Sequence, residues 1–305
     1  PDSALAYVPS LAGNTIICSF YAAFTVIAAY LTIRHRAWWA ICLPTGTFFS
    51  ALGFALRIVL RSPANQGDKA IFIPQYLFVV LPPACFLGFA YIVGGRLLVA
   101  VTAMDGGAVT KPGMEPLCST PADNGHSRNV SLEPTDTRQP PLSQRSPFAI
   151  LPPRLYTFIF VMSDIVTFVV QAVGASLQTS DDYDTVLTGS HIYLAGAAAQ
   201  MASFFLFALI MIHSHCKLYL VDPESYSFKR AFVKRNPGSV LFVTLHAVGI
   251  CILLRCAFRT AEMALGVRSH LYNTEIYTFL LDALPLLIVV AFFLVVWPKK
   301  YLDRV

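Results

Sequence analysis

The stretches Cys251–Gly266, CILLRCAFRTAEMALG, and Glu275–Val290, EIYTFLLDALPLLIVV, are two of the most apolar in the chain, yet they hold Arg255, Arg259, Glu262, Glu275 and Asp282. A charge at the centre of a bilayer costs about 2.5 to 3.5 kcal/mol on insertion scales, so five left unpaired would cost about 15 kcal/mol, comparable to the stability of a whole domain. They must pair, reach water, or both. On a helix that turns about 100° per residue, Arg255, Arg259 and Glu262 share an arc of about 60°, and Glu275 and Asp282 lie about 20° apart on theirs. Each helix presents one charged stripe, and the two are expected to face each other across a polar interior.

The rest of the chain extends this reading. Its 305 residues are 56% hydrophobic and only 13% charged, with a mean hydropathy of +0.61, which excludes an ordinary soluble domain. Seven segments reach the roughly 20 residues needed to cross a hydrocarbon core: near 13–33, 39–60, 71–95, 156–178, 191–213, 239–263 and 275–297. The runs are continuous rather than alternating with period two, so closed-barrel strands are excluded. The fold class expected is all-α, a polytopic membrane bundle of seven transmembrane helices forming one domain over residues 1–305. The first span is expected to serve as its own insertion signal.

Basic residues set the orientation. With the N-terminus outside, sixteen Lys and Arg fall on the cytoplasmic side against three outside, Arg61, Lys69 and Arg268. The asymmetry persists at ten to three without the long third connection, so the N-terminus is expected outside and the C-terminus in the cytoplasm. Trp38, Trp39 and Trp297 fall at the inner interface. The net charge of +5 reflects this bias and implies no nucleic-acid partner. Residues 98–153, rich in Pro, Ser, Thr, Asp and Gly, are expected to form a disordered cytoplasmic loop, out of reach of glycosylation at the Asn129 sequon. The cysteines imply no disulfide framework.

Depth sorts the intramembrane polar residues. Arg255 lies about 12 Å below the outer end of the sixth helix, and Asp282 about 10 Å deep in the seventh, so the two are expected to pair. Arg57, Arg259, Glu262 and Glu275, with Gln171 at the edge, converge on the same outer half. Three arginines facing three carboxylates suit two roles: a clamp that fixes helix register, or a site for the zwitterionic or amine headgroup of a membrane lipid or amphiphilic small molecule. Asp164 and Gln200 are read as coupling or packing residues, with packing favoured, and His246 as packing. His213, Ser214, His215 and Cys216 form a weak metal-like cluster, because the two histidines point to different faces of one helix. No metal site is assigned and no cofactor expected. With no G-x-x-x-x-G-K-[ST], G-x-S-x-G or H-E-x-x-H motif, no enzyme is expected.

The pattern Arg255-x-x-x-Arg259-x-x-Glu262-x-x-x-Gly266, then Glu275 and Asp282-Ala283-Leu284-Pro285, resembles the fungal RTA-like family of seven-helix lipid-translocating exporters. The resemblance takes in Phe160-Val161-x-x-Asp164 with Gln171 and Gly174, Gly196-x-x-x-Gln200, Tyr91 with Gly95-Arg96, and Gly53 with Arg57. Ser50, Phe54 and Phe279 depart from it, standing where the family usually has Glu, Tyr and Tyr. The resemblance implies a plasma-membrane protein that exports or flips amphiphiles such as sphingoid-base-like or sterol-like compounds and gives resistance to toxic lipids or drugs. The alternative is a seven-helix lipid sensor or receptor without transport. The rhodopsin-like version lacks D-R-Y and N-P-x-x-Y, and the seventh helix has no lysine for retinal.

Overall fold

The computed structural model describes residues 10–62, 69–108, 153–180, 182–223, 226, 236–266 and 274–304. Among the described residues, seven helices are long and apolar enough to cross a membrane. They are α1 (Leu11–Arg34), α2 (Cys42–Val59), α3 (Lys69–Ala108), α4 (Pro153–Leu177), α5 (Tyr183–Val221) and α6 (Pro237–Leu265), with α7 (Glu275–Val295) as the seventh. A short α8 (Pro298–Leu302) follows.

The ends are set by local chemistry. The Ser10 hydroxyl accepts from the Gly13 N–H to start α1, and the Asp182 carboxylate accepts from the Thr185 N–H to start α5. Those bonds to Thr185 hold the exposed Asp182 carboxyl below the usual carboxylate range. Asn236 caps α6 with Pro237 in the first turn, and Gly266 ends it at φ +77°, a backbone position that favours glycine. Two helices overrun the expected spans. α3 continues to Ala108, eleven residues into the segment expected to be loop, because Leu97, Leu98 and Val101 keep an apolar face buried. α5 spans 39 residues. The remainder of the expected loop, with its Asn129 sequon, lies outside the described residues.

Consecutive helices pack side by side, and α7 closes the ring against α1 and α6, while α3 also touches α5, α6 and α7. α3 is accordingly the most buried span, 56% of its apolar window against 22% for α1. Rings fill the centre: Tyr91 of α3 packs on Phe160 of α4 and on Phe204 and Phe207 of α5, at centroid distances of 4.7 to 6.0 Å. The outward faces keep exposed Val26, Ile33, Val166, Ile250 and Val295, as lipid contact requires.

Glycine brings α4 and α5 together. A Cβ on Gly174 would lie 2.5 Å from the Tyr193 nitrogen and 2.8 Å from the Gly189 carbonyl oxygen, so here the two backbones touch.

Candidate functional site

A π-helical turn, Thr278–Ala283, interrupts α7 and contains Asp282. Pro285 supplies no N–H to the preceding turn, and its ring crowds the carbonyl four residues back, which accounts for the irregularity. The Tyr21 hydroxyl of α1 donates to the Ala283 carbonyl at 3.3 Å, offsetting part of the disturbed ladder. The turn holds Asp282 against both arginines of α6. Arg259 Nη2 donates to Asp282 Oδ2 at 2.6 Å, and Arg255 Nε stands 2.8 Å from Asp282 Oδ1. This second contact lies off the hydrogen-bonding line, so it acts through charge. Arg259 Nη1 also donates to Glu262 Oε2 at 3.0 Å, one helical turn on.

All four of these side chains are buried. The expected Arg255–Asp282 pair is present, but Asp282 is shared between two arginines. Arg57 of α2 is close enough to bear on Asp282 electrostatically, and its Nε lies 4.0 Å from Glu275 Oε1. Glu275 is further held by the Ser10 N–H at 2.8 Å and the Asn14 amide at 2.9 Å. The six charges from α2, α6 and α7 therefore form one connected network, with Glu275 at its mouth beside the start of α1.

On the other side of the arginines, Gln171 of α4 donates to Gln200 of α5 at 2.8 Å. These amides line a cavity of about 10 Å³ with Tyr193, Arg255, Arg259 and Cys256, room for a single water at most. Val80 and the edge of this cavity adjoin a larger apolar groove of about 220 Å³ between α3 and α4, lined by Ile73, Tyr76, Leu77, Val80, Ala172 and Ala175. Tyr76 also lies within electrostatic range of Arg259. A groove suited to a hydrocarbon chain thus ends at a buried polar network, with Tyr76 and Val80 between them.

Asp164 stands outside this network. It is buried on α4 beside Tyr91 of α3 and Cys256 of α6, and among the described residues no cation is within ion-pair distance of it. The histidine cluster separates as its periodicity required: His213 is exposed and His215 buried. His215 meets His246 of α6, Nδ1 to Nε2 at 2.9 Å, over the face of Phe242. Among the described residues no group of three or more His, Cys, Asp or Glu is arranged to hold a metal ion.

Asn14, Ser10 and Tyr21 were not legible as site residues. A lone asparagine inside an otherwise apolar first span was the available signal for Asn14, since an intramembrane amide requires a partner. Ser10 takes part through its backbone N–H, which no residue type advertises.

A family model described as RTA1 like protein matches residues 142–304. The sphingoid long-chain base transporter RSB1 of Saccharomyces cerevisiae is 31% identical over 306 residues, covering 91% of this chain and 68% of the relative. Protein RTA1 of the same organism is 28% identical, covering 98% and 74%. The probable lipid transporter atnI of Emericella nidulans is 22% identical, covering 97% and 67%. No solved structure matches.

Proposed function

The chain belongs to the family of RTA1-like proteins, and from that premise we propose that it exports amphiphilic lipids, sphingoid-base-like or sterol-like compounds, or moves them across the bilayer, acting as a transporter at the plasma membrane and giving resistance to toxic lipids or drugs. The observation that carries this reading is the apolar α3–α4 groove ending at the buried charged network. In it, the hydrocarbon chain of the substrate lies along Ile73, Leu77 and Ala175. Its headgroup meets Arg57, Arg255, Arg259, Glu262, Glu275 and Asp282, with Gln171 on the edge. An ammonium headgroup competes with an arginine for Glu262 or Glu275, at the ends of the network, and hydroxyls bond to Gln171 and Gln200. The displaced arginine stays tethered beside the site, so the extra positive charge is met by water or by the substrate's own polar groups at the mouth of the network.

The remaining cavity of about 10 Å³ is too small for a headgroup, so admission requires α3 to move from α4. α3 is built to bend there. Pro82 and Pro83 leave the carbonyls four residues earlier, those of Phe78 and Val79 next to Val80, without their helical donors. The disturbed turn of α7 offers a second compliant point, at Asp282.

Glu262→Gln tests the reading best, because Arg259 keeps Asp282 as its partner. In phosphatidylcholine vesicles without ATP or other proteins, the wild-type chain is expected to speed the transbilayer movement of a fluorescent sphingoid base. Glu262→Gln is expected to slow that movement about tenfold, the effect of roughly 1.4 kcal/mol, while eluting as the same folded species. An undiminished rate in the variant, or no acceleration by the wild type, overturns the proposal.

The orientation belonging to this reading has the start of α1 outside, which puts the charged network in the outer half of the bilayer. Protease added to intact cells is then expected to spare the segment between α3 and α4. Cleavage there without permeabilisation would reverse the orientation and place the charged network in the inner half of the bilayer.

A further inference from the structure

At the opposite end of the bundle from the charged network, a second cavity of about 710 Å³ opens between α3, α4 and α8. Its wall combines Trp39, Ile92, Gly95, Arg96, Val99, Ala100, Thr157, Leu302 and Asp303, of which Arg96 and Asp303 carry the charges. The size falls within the usual range for small-molecule sites. The Arg96 guanidinium lies over the Trp39 ring at 4.6 Å, and the Trp39 ring in turn stacks on Phe89 at 5.9 Å. Phe89 is fully buried and packs edge-on against Phe293 of α7 at 4.8 Å. A ladder of rings anchored in the core therefore fixes the plane of the guanidinium and leaves its N–H edge available.

Among the described residues, no carboxylate forms an ion pair with Arg96. Asp303 lines the same cavity, yet the two charges do not meet within ion-pair distance. An arginine and an aspartate held apart in one chamber match a ligand that carries both an anion and a cation. The walls identify the rest of that ligand. Ile92, Val99, Ala100 and Leu302 are apolar, and Val99 is exposed on the outer face of α3 within its membrane-spanning window. A tryptophan at the rim is the usual mark of the headgroup level of a bilayer.

We propose that this cavity binds an aminophospholipid, with its phosphate on Arg96, its ammonium on Asp303 and its acyl chains along Val99 and Ala100. The site is separate from the charged network and does not depend on the transport reading. Arg96 donates to the phosphate oxygens as a fork, and the ammonium donates to the carboxylate. A choline headgroup carries no N–H, so it forfeits the second interaction. Phosphatidate satisfies Arg96 but sets extra negative charge against Asp303.

The experiment uses the full chain in nanodiscs of phosphatidylcholine containing a minor fraction of either phosphatidylethanolamine or phosphatidate, followed by native mass spectrometry of the lipid retained after mild delipidation. Phosphatidylethanolamine is expected to be retained about tenfold over both others, the size of one charge-assisted interaction. Arg96→Gln is expected to lose that retention. Asp303→Asn is expected to keep phosphate binding but to retain phosphatidate as well as phosphatidylethanolamine. Both residues are exposed, and the unfolding temperature of each variant checks that folding is intact. Retention unchanged in Arg96→Gln, or equal retention of phosphatidate by the wild type, overturns the assignment. Full displacement of the lipid by millimolar inorganic phosphate would show a site for a free anion and overturns it equally.

Discussion

Asp282→Asn is expected to destabilise the bundle by about 3 to 5 kcal/mol, the cost of stranding buried charge. Asp282 meets Arg259 at 2.6 Å and Arg255 at 2.8 Å, and all three are buried. The amide keeps the shape but removes the charge that balances two guanidiniums. Glu262 compensates only Arg259, which it already contacts at 3.0 Å. Arg255 is left without a carboxylate at that depth. The measurement is the fraction of detergent-extracted protein that remains monodisperse on heating. An unchanged transition temperature would show that water already screens the network. Exchanging the two residues, Arg255→Asp with Asp282→Arg, is expected to recover little, since the new arginine at 282 faces Arg259. A simple isolated pair would be largely restored by the same exchange.

Gly174→Leu is expected to abolish assembly of α4 with α5. Even the first added carbon would sit 2.5 Å from the Tyr193 nitrogen, so the backbones must separate. Overpacking of this kind costs about 1 to 3 kcal/mol where side chains yield. Here backbone meets backbone, so the cost lies at or above that range. Separation would also pull Gln171 from Gln200 and open the wall of the small cavity. Gly249 provides the control. It lies in α6 with nothing within 4 Å of an added Cβ, so Gly249→Ala is expected to be neutral or to stabilise by up to about 1 kcal/mol through helix propensity. Comparing the yields of folded protein for the two variants checks the prediction, and equal yields would sink it.

Shared charge also separates the two roles left open by the sequence. Arg255, Arg259 and Asp282 bind one another closely enough to act as a clamp between α6 and α7. Glu262 and Glu275 lie at the ends of the network, where a headgroup could replace one partner without dismantling the rest. Glu275 also secures Asn14 of α1 and the capping Ser10 before it, so its replacement would disturb the mouth of the bundle. The two roles need not exclude each other, because substrate exchange at an end leaves the centre paired.

The sequence by itself determined seven membrane spans, because burial in lipid demands long apolar helices whose backbone bonds close within each segment. It also determined that Arg255 and Asp282 share a depth, since helix rise fixes depth from residue number alone. The Gly196, Gln200 and Gln171 motifs were legible as residues, but their meeting in one α4–α5 seam depended on the helices lying side by side. Tertiary structure alone decided that Asp282 serves two arginines, that Asn14 and the Ser10 N–H hold Glu275, and that Trp39 carries Arg96. Periodicity gives the face of a helix but not the rotation of its neighbour or the local change of pitch. The π turn over Thr278–Ala283 alters that pitch where Asp282 projects, so its partners follow from packing in three dimensions.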